Sequence, residues 1–148
     1  MKPALQKFIL KQLKQHNIMS LATQRADGYP QTTTVGYAND GLDLYFCCGR
    51  LSQKARNLKR SPKVSLTIDH DTKRWSRIKG LSMGARAKVL STPREVKRAL
   101  GLLARRFPDM KKLTEKDLAL TAFVKVTPNV ISVLDYSKGF GHTDLVRP

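Results

Sequence analysis

The sequence predicts a mainly β, α+β domain, a small barrel of about six strands with helices outside it. Three observations lead there. Apolar side chains alternate with period two over several short segments bounded by turn residues. A few other segments carry helical stripes behind recognisable caps. At 148 residues and 41% hydrophobic composition, residues 1–148 suit one domain with one sizeable core.

The elements follow in chain order. Leu5, Phe8, Ile9 and Leu13 form an i, i+3, i+4, i+8 stripe, so residues 3–16 read as an amphipathic helix with Lys7, Lys11 and Lys14 outward. Residues 17–24 read as a strand, and Ala26-Asp27-Gly28-Tyr29-Pro30 as a turn, since Gly tolerates positive φ and Asp bonds its own backbone. Residues 31–38 are rich in β-branched types and form a second strand. Asn39-Asp40-Gly41 closes a hairpin onto the alternating Leu42, Leu44 and Phe46. Ser52 caps a short helix that runs to about Arg60 with Ala55 and Leu58 inward.

Val64, Leu66 and Ile68 mark a fourth strand, and Leu81 to Val89 a long fifth one whose Gly80 and Gly84 signal bulges or close approach. Thr92-Pro93-Arg94-Glu95 is a capping box with Pro at the first helical position, ahead of the stripe Val96, Ala99, Leu100, Leu103 and Phe107. Thr114 and Asp117 repeat the cap signature in a second short helix. Phe123–Thr127 and Val130–Asp135, separated by Pro128-Asn129, read as the last strands. Trp75 and Tyr45 read as packing residues.

Charge is distributed unevenly. There are 28 Lys+Arg against 11 Asp+Glu, a formal net charge of +17. All of that excess lies in residues 1–112, with 24 basic and 7 acidic side chains, and no acid precedes Asp27. Such a field attracts phosphorylated cofactors, nucleic acid or acidic head groups; a solvated basic surface is the plainer reading. Single cations are dispersed among apolar residues, which argues against a disordered polybasic tail. No apolar run approaches the ~18 residues of a membrane helix, and the N-terminus lacks a signal-peptide core, so a cytoplasmic protein is expected.

Much chemistry is missing from the sequence. His16, His70 and His142 show no His-Glu-x-x-His pattern, and the adjacent Cys47 and Cys48 no Cys-x-x-Cys, so no zinc site is expected. Neighbouring thiols on a strand point to opposite faces, one to the core and one to a lining position. Walker, Gly-x-Ser-x-Gly and Rossmann patterns are absent, and no acids pair at a glycosidase spacing. Chemistry here would be a cofactor's.

The most informative segment is Gly49-Arg50-Leu51-Ser52-Gln53-Lys54-Ala55-Arg56-Asn57. A strand ends there and a helix starts, so free backbone N–H groups, the positive end of the helix dipole, a hydroxyl and two cations converge. Capping alone accounts for Ser52. First-turn cations oppose the dipole unless an anion is bound, which favours a phosphate site at Arg50, Ser52 and Lys54.

In this order and spacing, the sequence resembles the pyridoxamine 5′-phosphate oxidase-like, FMN-binding split-barrel family over about residues 15–136. The resemblance rests on Gly28-x-Pro30, Asp40-Gly41 before Leu44-Tyr45-Phe46, and Ser52-x-Lys54-x-x-Asn57-Leu58. Pro62-x-Val64, Gly84-x-Ala and Pro128-x-x-Ile131 complete it. It implies a homodimer of six-stranded split barrels with FMN in clefts at the subunit interface; a deazaflavin or haem occupies that cleft in some relatives. Thr32, Thr33, Thr34, Val35, Gly36 and Tyr37 would then run along the ribityl chain and flavin ring. Cys47 and Cys48 would lie by the phosphate and ribityl region, Gln53 and Lys54 would form the phosphate pair, and Lys79 would be a ring-side polar group.

Phe140 and His142, between Gly139 and Gly141, read as a lid from a partner subunit, with His142 a candidate proton shuttle; a frayed terminus is the alternative. The oxidases place a basic residue at each end of the second-strand segment, where this chain has Thr32 and Tyr37. The expectation is therefore an FMN-dependent oxidoreductase acting on a small molecule other than pyridoxamine phosphate. The alternative is a non-enzymatic basic module that binds nucleic acid or another polyanion nonspecifically.

Overall fold

Alternation of apolar and polar side chains shapes much of the sheet, while strands covered on both faces bury successive residues. The computed structural model describes Met1–Pro148 as four helices and eight strands. In chain order these are α1 (Pro3–Gln15), β1 (Ile18–Gln24), β2 (Pro30–Gly36), β3 (Ala38–Asp40), β4 (Asp43–Gly49), α2 (Gln53–Arg60), β5 (Lys63–Asp69) and β6 (Lys79–Val89). They continue as α3 (Pro93–Arg106), α4 (Glu115–Ala119), β7 (Thr121–Asp135) and β8 (Thr143–Val146). In β5, Val64, Leu66 and Ile68 are buried while the residues between them are exposed, the pattern of a strand with one wet face.

All strands join one antiparallel sheet in the order β2-β1-β5-β6-β7-β4-β3, with β8 added to β7. The two ends of that path, β2 and β3, are separated in the chain only by Tyr37. The sheet therefore curls round on itself and brings β2 against β4. Inside lies a core of 21 buried residues, including Leu21, Phe46, Leu66, Leu81, Met83 and Val126. Ile9 and Leu13 of α1 and Leu58 of α2 enter this core. α1 lies against β5 and β6, and α2 against β1, β4 and β6. A second cluster of six residues forms outside the curl, where Ala99 and Leu103 of α3 pack on Ala38, Tyr45, Leu90 and Phe123.

Several expectations need correction. The structure has eight strands rather than six. The expected strand 31–38 breaks at Tyr37 into β2 and β3, because its two halves pair with different neighbours, β1 and β4. The segments 123–127 and 130–135 are one strand, β7. Gly84 pairs with Val130 and Ala85 with Pro128, so Asn129 is the extra residue of a bulge. Pro128 is tolerated because β4 pairs β7 only as far as Val126 and β8 only from Ile131. Its missing donor falls in the gap between them.

The tail is not frayed. It forms β8, and Val146 joins the main core. Tyr45 is buried as expected, whereas Trp75 is 71% exposed. Gly80 is a close approach: a Cβ there would lie 2.6 Å from the Ile68 carbonyl oxygen. No helix is long and apolar enough to cross a membrane.

Candidate functional site

β4 ends at Gly49 and the chain turns through Arg50 and Leu51 into α2. Arg50 N–H donates to the Leu120 carbonyl at 2.9 Å, tying the turn to the start of β7. Ser52 caps the helix, its Oγ accepting from Ala55 N–H at 3.1 Å and donating to the Gly49 carbonyl at 2.7 Å. Its one hydroxyl proton is thus engaged within the cap. Gln53 and Lys54 N–H have no acceptor within the chain, and the first turn carries no acid. Arg50 is exposed, Lys54 half-buried, and neither joins any of the seven ion pairs. Two free amides and two unpaired cations at a helix start form an anion cradle.

Asn57 fixes the cradle to the sheet. It is 1% exposed, donates to Thr23 Oγ1 at 3.0 Å and Gln31 Oε1 at 3.3 Å, and accepts from Gln53 Nε2 at 2.8 Å. Arg56 donates to Gln53 Oε1 and to the Leu51 carbonyl. Both ends of the Gln53 amide are therefore engaged, and what Gln53 offers an anion is its backbone N–H. Asn57 stood in the sequence motif without a role. A polar residue between Ala55 and Leu58 on the buried face of a helix was the available signal.

The β2 residues divide by face. Thr32 and Thr34 are exposed, and Thr33 Oγ1 is buried without a partner. Val35 belongs to the core. Gly36 lies over Phe107, whose ring tip would be 2.8 Å from a Cβ at that position. Tyr37 is fully buried, its hydroxyl donating to the Leu13 carbonyl at 2.8 Å, with the Arg106 guanidinium 5.2 Å above its ring. Burial pushes the Tyr37 phenol up to about 12, against the opposing field of Arg106. Val35 and Tyr37 thus turn their side chains inward to the core.

Cys47 and Cys48 face opposite sides of β4, as strand geometry requires. Cys48 packs on the main core and Cys47 on the α3 cluster. Burial, together with the neighbouring Cys48, pushes the Cys47 thiol up, so it resists becoming a thiolate.

Lys79, Phe140 and His142 lie elsewhere. Lys79 opens β6, opposite Asp135, while α2 lies toward the other end of that strand, where Ala87 N–H bonds the Pro62 carbonyl. The eight residue steps of β6 from Lys79 to Ala87 separate the two regions by about 26 Å along the strand. Lys79 Nζ is 4.0 Å from Asp135 Oδ1. Burial raises the Asp135 carboxyl, but bonds from the Ser137 hydroxyl and N–H, with Lys79 nearby, hold it below the usual range. Phe140 is 79% exposed and packs on Trp75 and Tyr136, with ring centroids 5.3 and 5.9 Å away. His142 Nε2 is 3.0 Å from Asp144 Oδ2. The chain therefore brings Thr32, Arg50, Ser52, Gln53 and Lys54 to one side of the curl and leaves Lys79, Phe140 and His142 at the other. No group of three or more His, Cys, Asp or Glu side chains is placed to hold a metal ion.

No curated protein matches the sequence. Solved structures share the fold. HutZ, the heme storage protein from Vibrio cholerae, superposes with a TM-score of 0.70 at 20% identity, over 86% of this chain and 89% of its own. A heme binding protein from Mycobacterium smegmatis gives 0.77 at 17% identity, over 95% of this chain and 55% of its own, so the present chain spans about half of it. A conserved hypothetical protein from Mycobacterium tuberculosis gives 0.77 at 23% identity, over 97% and 91%. The pyridoxamine 5′-phosphate oxidase family matches residues 2–135. With that match over nearly the whole curled sheet, the chain belongs to the pyridoxamine 5′-phosphate oxidase family.

Proposed function

We propose that this chain is an FMN-binding flavoprotein, an oxidoreductase for a small molecule, with the cofactor phosphate held at the start of α2. The carrying observation is the cradle itself: two backbone N–H groups without acceptors, two unpaired cations and no acid. A dianion there satisfies the orphan donors and the dipole together. Asn57 links α2 to Gln31 of β2, on the face that also carries the buried, unpartnered Thr33 hydroxyl; the exposed Thr32 and Thr34 hydroxyls lie on the other face of that strand. Bound flavin would supply electron-pair transfer; the protein supplies binding and orientation. Because Lys79, Phe140 and His142 lie at the far side of the curl, a cofactor touching both regions needs a second copy of the chain, and we include a homodimer in the proposal.

The fit is partial in a defined way. Ser52 Oγ, Val35 and Tyr37 contribute to the scaffold rather than to the ligand, which leaves Arg50, Gln53 N–H and Lys54 as the phosphate contacts. Titration of the purified protein with FMN, riboflavin and haem tests this. The expected result is quenched flavin fluorescence with FMN, at least tenfold weaker binding of riboflavin, which lacks the phosphate, and loss of FMN affinity in Lys54→Glu. A Soret shift with haem and no response to FMN would replace the flavin with haem, the ligand named for two of the structural neighbours.

A further inference from the structure

The outer face of α3 carries a charge pattern that the flavin site does not use. Arg94, Arg98, Gly101 and Arg105 recur at steps of four, three and four, so they form one stripe along the helix, and Lys97 flanks it. All five are exposed. They line a groove of about 470 Å³ whose only acid, Asp40, is already paired with Arg98. Arg94, Lys97 and Arg105 have no carboxylate partner. A smaller hollow of about 240 Å³ continues the groove past Arg105 to Asn39 and Arg106.

Like charges one turn apart disfavour a helix, and this stripe keeps them with one carboxylate between them. We infer that the α3 groove binds the phosphodiester backbone of a nucleic acid. The stripe spans about 16.5 Å of helix axis, whereas one strand of a duplex presents a phosphate about every 3.4 Å. A linear anion thus meets every cation in turn, which a single phosphate cannot do. Gly101 leaves the middle of the groove open, since a Cβ there would meet nothing within 4 Å. The charge is of the required sign over the whole molecule, at +17. A membrane surface fits less well, because no large apolar side chain of α3 is exposed, and interfacial helices bury an apolar face. Bases are not read in this arrangement; binding is electrostatic and sequence-independent.

Fluorescence anisotropy with a labelled random 20-base-pair DNA duplex and a single-stranded RNA tests the inference on the full chain, against inorganic polyphosphate and anionic vesicles. The groove variant Arg94→Glu/Lys97→Glu/Arg105→Glu is compared with an equal charge change elsewhere, Lys7→Glu/Lys14→Glu/Lys59→Glu. The groove variant is expected to lose at least tenfold in nucleic-acid affinity, and its salt slope to fall by about three. The control variant is expected to change much less. Gly101→Glu supplies a second test, since it fills the groove with a residue that favours the helix, and a loss of binding is again expected. Equal losses in groove and control variants would overturn the site, as would undiminished binding by Gly101→Glu. Failure of both nucleic acids to bind, whether or not polyphosphate or vesicles do, would also overturn it.

Discussion

The start of α2 and the outer face of α3 are both basic, yet they present charge in opposite ways. At α2, Arg50 and Lys54 flank two free backbone N–H groups within five residues of chain, on a turn held by Arg50 N–H to Leu120 and by buried Asn57. Along α3, four cations are strung over three turns, with a single free backbone N–H, that of Arg94, at one end. Donors clustered at a helix start suit a compact dianion, and a line of side-chain cations suits an extended one. The net charge of the chain is the same number in both cases. Its arrangement on rigid elements distinguishes the two ligands.

Charge reversal breaks the comparison most sharply. Arg50→Glu/Lys54→Glu should lower FMN affinity by about a hundredfold or more, since each charge-assisted contact is worth roughly tenfold to a hundredfold. The same variant should leave nucleic-acid binding within about threefold once overall charge is matched. The groove variant of α3 should do the reverse. Isothermal titration with FMN beside anisotropy with DNA, on both proteins, gives the four numbers. If each variant lowers both affinities alike, the two regions are one diffuse field.

Asn57→Ala should have the next largest effect, and it acts on α2 alone. It strands Thr23 Oγ1 and both amide partners, Gln31 and Gln53, in or near the barrel mouth. A loss of about 2 kcal/mol is expected in denaturant unfolding, with weaker FMN binding and unchanged nucleic-acid binding. Retention of full FMN affinity would show that α2 is placed by Leu58 and Ala55 without this network.

How much of this was legible beforehand varies with the range of the cause. Ser52 as a cap and the alternation of β5 depend on neighbours in sequence, and they stand as read; the β3–β4 hairpin also forms, with its turn at Gly41–Leu42 rather than at Asn39–Gly41. Tyr37 reads as the continuation of one strand because residues 31–38 carry the β-branched run Thr32–Val35; its burial arises only when the sheet curls and its hydroxyl meets the Leu13 carbonyl of α1. The Ser52 hydroxyl was offered to a phosphate because its bond to Gly49 depends on the turn conformation. β8 has four residues with one buried side chain, too few to show a period. The α3 stripe was visible as the complement of Val96, Ala99, Leu100 and Leu103, but summing charge over the whole chain obscured it.

Tyr37→Phe sharpens the comparison from the α3 side, because Arg106, the last residue of that helix, is anchored at this point. Arg106 donates to the Leu13 and His16 carbonyls and to Asn39 Oδ1 while lying over the Tyr37 ring. The Leu13 carbonyl keeps the Arg106 bond when the phenol is removed, so the expected loss is only about 1 kcal/mol. The alkaline limb is more telling. A folded value of about 12 lies above the ordinary 10.0. The phenol therefore leaves stability unchanged below pH 10 and lowers it as pH rises from 10 through 12. Unfolding curves between pH 9 and 12 should fall more steeply for the parent than for Tyr37→Phe; parallel curves would mean that the phenol ionises freely in the fold.

Gly101→Ala is the mildest change and isolates the shape of the groove from its charge. The position is helical, exposed and free of neighbours within 4 Å of a Cβ. Replacing Gly by Ala there should therefore raise stability by about 1 kcal/mol. The cations stay in place, so the effect on nucleic-acid affinity depends only on how closely the backbone of α3 is approached. A stabilised protein that binds DNA about twofold to threefold more weakly would mean phosphates lie against the bare helix at Gly101. Unchanged binding would place them further out, on the tips of Arg94, Lys97 and Arg105, and FMN affinity should be unaltered in either outcome because α2 does not share this surface.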